Sequence, residues 1–403
     1  MPCEKSTIVE KGVIYHMEEN KIQQVYAQLP IAEKNLSLSR EERLTAMVPP
    51  LHDWYTHSHR MLPWREHVTP YKVWVSEIML QQTRVEAVKP YYARFLAALP
   101  DITALANAEE ELLLKLWEGL GYYSRVRNMQ AAAIQCVAQH DGELPDSYAE
   151  LLKLKGIGTY TAGAIASIAF HEPVPAVDGN VLRVIARLTA DEEDIGLPKK
   201  KKQLETELAE QMHQADPGIL NQALMELGAV VCLPNGTPKC QDCPLHHICL
   251  SRMRRCTDRI PYKKPKKPRK IEERTILILE TGEQVLLRKR PGKGLLAGMY
   301  EFPGIDGHLD MQEALQYVKE TWESVIFQDT DIACVIEPLG PARHIFTHIQ
   351  WEMIGYRIRL VNVPVSVATP EFVWASREEL QDTYSIPSAL RVYKEKCMQT
   401  QEG

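Results

Sequence analysis

The hydrophobic pattern of this chain changes its period once, and that change limits the possible folds more than any other feature. From Leu51 to about Ile260 the apolar residues recur at helical spacing, as in Ile102, Leu105, Leu112, Leu113, Leu116 and Trp117. Pro261, Pro265 and Pro268 then fall among lysines, where missing backbone donors and charge repulsion both oppose regular structure. Beyond them, apolar and polar residues alternate over Thr275 to Leu279, Val285 to Lys289 and Met353 to Val363, with a helical stretch from Met311 to Val325 between. One core cannot serve both patterns, and 403 residues exceed what a single core usually holds. The expected fold is multidomain. A polar, flexible extension occupies residues 1–48, an all-α domain 49–260, a basic Pro/Lys linker 261–271 and an α+β domain 272–395. Within the extension, Lys21 to Leu29 has the spacing of a short amphipathic helix.

With 45% hydrophobic and 25% charged residues the chain has the composition of a folded soluble protein. Its N-terminus lacks an apolar stretch of signal-peptide length, and no run approaches the roughly 18 apolar residues of a membrane span. A cytoplasmic protein without membrane association, acting as a monomer, is expected. The net charge of -6 means that any affinity for nucleic acid must come from local cation clusters. One such cluster runs from Arg252 through Lys263, Lys264, Lys266 and Lys267 to Arg274, and it reads equally as a solvated linker or a phosphate track. Of nine cysteines, Cys232, Cys240, Cys243 and Cys249 form a C-x7-C-x2-C-x5-C pattern. Four thiolates so spaced suit metal ligation better than scattered disulfides, and the donor set fits either zinc or an iron–sulfur cluster.

Leu154-Lys155-Gly156-Ile157-Gly158-Thr159-Tyr160-Thr161-Ala162-Gly163 is a glycine-bearing turn that opens a helix ending near Phe170. Gly156 and Gly158 let a backbone phosphate approach, and the helix start supplies free N–H groups with partial positive charge. Such a turn grips DNA without reading its sequence; the competing interpretation is helix packing alone. This run resembles the helix-hairpin-helix of the endonuclease III and MutY superfamily. Val177-Asp178-Gly179-Asn180-Val181 follows at the superfamily's distance, and upstream Ser76-Glu77-Ile78-Met79-Leu80-Gln81-Gln82-Thr83-Arg84-Val85 is closely similar to the active-site segment of MutY-type adenine DNA glycosylases.

The resemblance implies removal of adenine from double-stranded DNA, where it is mispaired with 8-oxoguanine or guanine. Adenine leaves readily only once a ring nitrogen is protonated, which calls for an acid that keeps its proton near neutral pH. Glu77, set among Val73-Trp74-Val75 and Ile78-Met79-Leu80, fits that demand if it is buried, whereas an exposed helix-face glutamate would not. The sugar then gains oxocarbenium character, which a fixed carboxylate stabilises or captures. Asp178 is assigned that role, although locally it reads equally as an N-cap, and Asn180 joins the catalytic set. Where bifunctional relatives carry a Schiff-base lysine this chain has Tyr160, so strand cleavage by that route is unavailable; a core aromatic is the alternative.

An adenine inside a duplex must be flipped out before it can react. The resemblance places Gln82 in the vacated stack and Leu62, Arg65 and Tyr122 with Glu77 around the adenine. It also implies a four-iron, four-sulfur cluster on the four cysteines, with zinc as the alternative. The family's first gap is six residues and here it is seven, with Asn235-Gly236 the point of insertion. The C-terminal part resembles a Nudix-like domain through Leu296–Gly304 and Arg343–His348, and Phe346, Thr347 and His348 stand where the family has a Phe-Ser-His loop that senses 8-oxoguanine. Its Asp310, Glu313 and Glu320 lack the Arg-Glu-x-x-Glu-Glu core that a hydrolytic Nudix helix needs for magnesium, so recognition and not hydrolysis is expected. The competing functions are an endonuclease III-like glycosylase/lyase for oxidised pyrimidines, a non-catalytic DNA-binding protein and a Nudix pyrophosphatase.

Overall fold

The computed structural model describes residues 35–265, 268–322, 333–361 and 371–399, together with the backbone of a hairpin near the N-terminus. Lys21 to Leu29, the expected amphipathic helix, lies outside the described residues. In the hairpin, strand β1 (Ser6–Glu10) pairs antiparallel with β2 (Val13–Met17), an element the polar extension did not announce. Among the described residues no helix is long and apolar enough to cross a membrane.

The chain folds into two compact units, one comprising residues 1–77, 145–153 and 157–265, the other 78–144, 154–156 and 266–403. In the first unit helical structure begins before residue 49. Ser39 and Glu42 form a capping box that starts the Arg40–Ala46 helix, and Leu44, Met47 and Leu51 are buried in the core. They pack with Val181, Ile185 and Leu188, with Leu204 and Leu208, and with Leu220, Leu224 and Leu227. The Pro217–Val230 helix is apolar nearly all round because it is the centre of this unit, packed on the helices Val48–Ser58, Thr159–Phe170 and Gly179–Thr189.

The second unit joins the helices Val85–Ala98, Ile102–Ala106, Glu110–Leu116 and Ser124–Gln139 to a mixed sheet. The sheet contains β3 (Lys270–Thr281), β4 (Gln284–Lys289), β5 (Tyr300–Glu301), β6 (Gly304–Asp306), β7 (Ala333–Ile345), β8 (Ile349–Val361) and β9 (Phe372–Ser376). Its main order is β5-β4-β3-β8-β7; β3 and β8 run parallel, β6 pairs with β3 and β9 with β4. Both faces are covered. Ile276 and Ile278 meet Leu390 and Tyr393 on one side, and Leu277 and Leu279 meet Ala314 and Val318 of the Met311–Trp322 helix on the other. Burial on both faces explains why β3 carries an unbroken apolar run.

Side-chain contacts account for the grouping of helices from 85–139 with the C-terminal segment. Lys394 Nζ donates to Glu118 (2.7 Å), Lys289 Nζ to Glu111 (2.9 Å) and Arg127 Nη2 to the Ala297 carbonyl (2.5 Å), tying helices of 85–139 to the C-terminal segment. Asp310 caps the Met311–Trp322 helix by accepting from the amides of Gln312 (2.8 Å) and Glu313 (2.9 Å), while Glu313 accepts from Asp310 N (2.8 Å). Two of the three acids considered for magnesium are engaged in a helix cap.

On β8 a methyl group at Gly355 would lie 2.2 Å from Cε1 of the buried Tyr393 ring. Gly355→Ala should therefore destabilise the second unit by about 1–3 kcal/mol through overpacking, read as a lower denaturation midpoint of the full chain.

Candidate active site

The Pro70–Leu80 helix buries Val73, Trp74, Val75, Ile78 and Met79, which carries Glu77 inward to 7% exposure. Facing it is the helix Thr159–Phe170, capped at its start by Gly158, which brings no side chain and so leaves the first amides open. Lys201 Nζ donates to Thr159 Oγ1 (3.0 Å) at that opening turn. Small residues let this helix sit close to the segment that follows it: at Gly163 a Cβ would lie 2.3 Å from the Pro175 carbonyl oxygen. The chain then reaches Asp178, the N-cap of the Gly179–Thr189 helix.

Tyr160 Oη donates a short hydrogen bond to Glu77 Oε2 and also lies 3.3 Å from Met225 Sδ. Burial pushes the Glu77 carboxyl up to about 7; the Tyr160 hydrogen bond opposes this, the Asp178 charge adds to it and the Arg65 charge opposes it. Asp178 Oδ1 accepts from the amides of Asn180 and Val181 (both 2.8 Å), and its Oδ2 accepts from Asn180 Nδ2 (2.7 Å). Burial raises Asp178 as well, but these three donors work against it, whereas Glu77 receives one. Asp178 is the better holder of negative charge and Glu77 the better holder of a proton.

Two further groups were not found from the sequence. Glu226 is buried on the central helix and accepts from Arg60 Nε (2.7 Å), Arg60 Nη2 (2.8 Å) and Arg65 Nη2 (2.9 Å). Burial pushes its carboxyl up, yet the hydrogen bonds and charges of both arginines prevail and hold it at about 2. The available signal was a lone acid inside the apolar run Ala223-Leu224-Met225-Glu226-Leu227. Arg183 is the other: its Nη2 donates to Asn180 Oδ1 and to the Gly228 carbonyl (both 2.8 Å), and its Nε to the Cys232 carbonyl (2.9 Å). Gly228 is required here, because a Cβ would lie 2.5 Å from Asn180 Cβ.

Cys232, Cys240, Cys243 and Cys249 line one pocket with Arg187, whose Nη1 donates to Cys232 Sγ (3.3 Å). The seven-residue gap closes through Gly236 at φ 74°, after which Lys239 N returns to the Val231 carbonyl (3.0 Å). Among the described residues no three His, Cys, Asp or Glu side chains converge as a single-ion site.

Of the remaining predicted residues, Leu62 is buried and its carbonyl accepts from Arg65 N (2.8 Å) in the same unit as Glu77. Tyr122, expected around the adenine, belongs to the second unit, where its hydroxyl meets Thr347 Oγ1 at 2.8 Å. There a cavity of about 600 Å³ is lined by Gly121–Ser124, Gly292–Ala297 and His344–Ile349. Phe346 packs edge-on against Trp351 (4.9 Å) and His344 (4.6 Å), and His348 is exposed. Gln82 is exposed in a turn at φ 62°. In that same unit Gly156 has φ 78°, with no room for a Cβ against Asn128.

The family described as HhH-GPD superfamily base excision DNA repair protein matches residues 75–214, and the NUDIX domain family matches 274–396. A solved thermostable thymine-DNA glycosylase is 25% identical, with a TM-score of 0.47, over 53% of this chain and 98% of its own. The two matched families give the chain a helix-hairpin-helix base-excision repair domain followed by a Nudix-like C-terminal domain. The adenine DNA glycosylase of Mus musculus is 34% identical over 90% of this chain and 84% of its own length, and that of Homo sapiens is 34% identical over 86% and 73%. This chain belongs to the adenine DNA glycosylase family.

Holding Glu77 at about 7, against 4.5 for an ordinary glutamate, has a consequence for stability. Between those values the unfolded chain releases a proton that the folded chain keeps, so the stabilising share of Glu77 is complete below pH 4.5 and is lost as pH rises through about 7. The full swing is about 3 kcal/mol. Glu77→Gln should therefore gain stability relative to the parent protein at pH 8 but not at pH 4, as measured by denaturant unfolding at both pH values.

Proposed function

We propose that this protein hydrolyses the N-glycosidic bond of adenine mispaired with 8-oxoguanine or guanine in double-stranded DNA, as a monomer and without lyase activity. The single observation that carries the reading is the pairing of a buried Glu77 held at about 7 with Asp178, whose carboxylate is fixed by three donors in the same site. Glu77 delivers its proton to a ring nitrogen of the extruded adenine. The electron pair of the C–N bond leaves with the base, and Asp178 faces the cationic sugar. Water adds to that cation and gives its proton to the ionised Glu77, which restores the acid. Tyr160 fixes Glu77 through its hydroxyl and offers no amine to the sugar, so no Schiff base forms.

Outside this centre, Gly156 and Gly158 grip the DNA backbone, Gln82 fills the vacated stack, and Leu62 and Arg65 border the adenine. Phe346, Thr347 and His348 sense the opposite base, consistent with the cavity they line together with Tyr122. Cys232, Cys240, Cys243 and Cys249 hold a four-iron, four-sulfur cluster. Four thiolates could also hold zinc, and the resemblance of the cysteine spacing to the family's cluster loop favours iron and sulfide. When bound, the cluster supplies a fold for its loop and takes no part in the bond cleavage.

The deciding experiment is single-turnover adenine release from an adenine:8-oxoguanine duplex. Release should slow as pH rises through about 7, because Glu77 must carry its proton. Tyr160→Phe removes the hydrogen bond that lowers Glu77, so its alkaline limb should move to higher pH. Glu77→Gln and Asp178→Asn should each lose at least about 100-fold in rate while still binding the duplex. A borohydride-trapped enzyme–DNA adduct at the wild-type release rate would defeat the hydrolytic route. Metal analysis should return about four iron and four sulfide per chain, and zinc in their place would overturn the cluster.

A further inference from the structure

The turn Gly121-Tyr122 and the turn Gln81-Gln82 are far apart in sequence, and one side chain holds both. Arg125 Nη1 donates to the carbonyls of Ile78 (2.5 Å) and Gln81 (2.8 Å), and its Nη2 to those of Leu120 and Gly121 (both 3.0 Å). Ile78 and Gln81 belong to the end of the Pro70–Leu80 helix, where carbonyls lose their helical partners and must find donors elsewhere. The other two belong to a turn floored by the buried Trp117, whose Nε1 donates to Gly121 O (3.1 Å) and whose ring lies 5.3 Å from the Arg125 guanidinium. Only a planar fork with donors on both terminal nitrogens can serve four such acceptors at once.

Each turn exposes a large side chain from left-handed backbone, Gln82 at φ 62° and Tyr122 at φ 50°. Neither is glycine, so both conformations cost energy and persist only where the surroundings fix them. The Tyr122 ring is held further by the Arg125 guanidinium at 5.7 Å and by its hydroxyl bond to Thr347. A side chain that enters a base stack must resist the load of the base it displaces, and exposed residues on two separate turns would give way unless the turns were locked together.

We infer that Arg125 is a positioning residue that locks the Gln82 and Tyr122 turns into one rigid probe, setting how fast a base is extruded rather than how fast its glycosidic bond breaks. This rests on the proposed adenine release, and the test separates the two. Arg125→Ala and Arg125→Lys are compared with the parent protein in single-turnover release from adenine paired opposite 8-oxoguanine and from adenine opposite an abasic site, where extrusion is already easy. The expected loss is about tenfold or more on the paired substrate and less than about threefold on the unpaired one. Lysine should recover little, since an ammonium cannot span four carbonyls.

Fluorescence of 2-aminopurine placed beside the target adenine should rise more slowly with the variants, while the alkaline limb set by Glu77 stays in place. Should the alanine variant fail to fold, the lysine variant carries the same comparison. Equal losses on both substrates, a shifted alkaline limb or an unchanged extrusion rate would each overturn the role of Arg125. No release by the parent protein would instead remove the functional reading on which it rests.

Discussion

A carboxyl group kept out of water is the constraint around which the first unit is organised. Glu77 lies on a helix whose neighbouring residues are nearly all apolar, so the packing that stabilises the helix also removes solvent from the acid. An ionised carboxylate there would be costly, and the protonated form is the one the surroundings favour. Few partners are available to reverse that preference. Tyr160 supplies one hydrogen bond, and its own ionisation is pushed well above the usual tyrosine range by burial and by the nearby carboxyls, so it remains a donor. The small residues of the Thr159–Phe170 helix matter for the same reason. They allow the segment that begins at Pro175 to pass close by and deliver Asp178 to the same site.

The two readings of Asp178, helix cap and charge-bearing group, are not rivals once its geometry is known. Its Oδ1 completes the cap of the Gly179–Thr189 helix, and the amides that it caps oppose the rise in its pKa. The cap thus fixes both the position and the charge of the group. Asn180 occupies the other oxygen and is itself held by Arg183, which reaches on to the carbonyls of Gly228 and Cys232. One turn later Arg187 contacts the Cys232 sulfur. The same helix therefore orders the carboxylate at its start and the cysteine segment along its side, which is why Gly228 has no space for a methyl group where it meets Asn180.

Much of the architecture was legible because it rests on periodicity. The helical spacing before residue 260, the Pro/Lys break and the strands β3, β4 and β8 all have patterns set by which faces are buried. β7 was not legible: it contains Pro338, Gly340 and Pro341 and carries a register shift between Pro338 and Gly340, features that suit an edge strand paired on one side but erase alternation. The early start of the helical core was hidden in a polar stretch, where Leu44, Met47 and Val48 are the buried apolar residues among those described. Among site residues, the acids and cysteines stood in recognisable motifs. Glu226 and Arg183 did not, because their importance comes from partners far away in sequence. Likewise the assignment of Tyr122 to the second unit depends on a long-range contact with Thr347 that no local pattern encodes.

Glu77 and Glu226 show how the same side chain can be driven in opposite directions within one unit. Both are buried, and burial pushes both upward, yet Glu77 is found at about 7 and Glu226 at about 2. The difference lies in their partners. Arg60 and Arg65 both bond to Glu226, and Arg65 is also among the charges that lower Glu77. By engaging the Arg65 guanidinium, Glu226 supplies the counter-charge that a cation so close to the acid requires, and limits how far that cation favours the ionised form of Glu77. Arg65 in turn keeps a fixed orientation, with Nη1 on the Arg60 carbonyl (2.9 Å) and its guanidinium 5.3 Å from the centre of the Tyr55 ring. A positive group can then stand beside the acid without taking its proton away, because its charge is already matched by a carboxylate that burial alone would have neutralised.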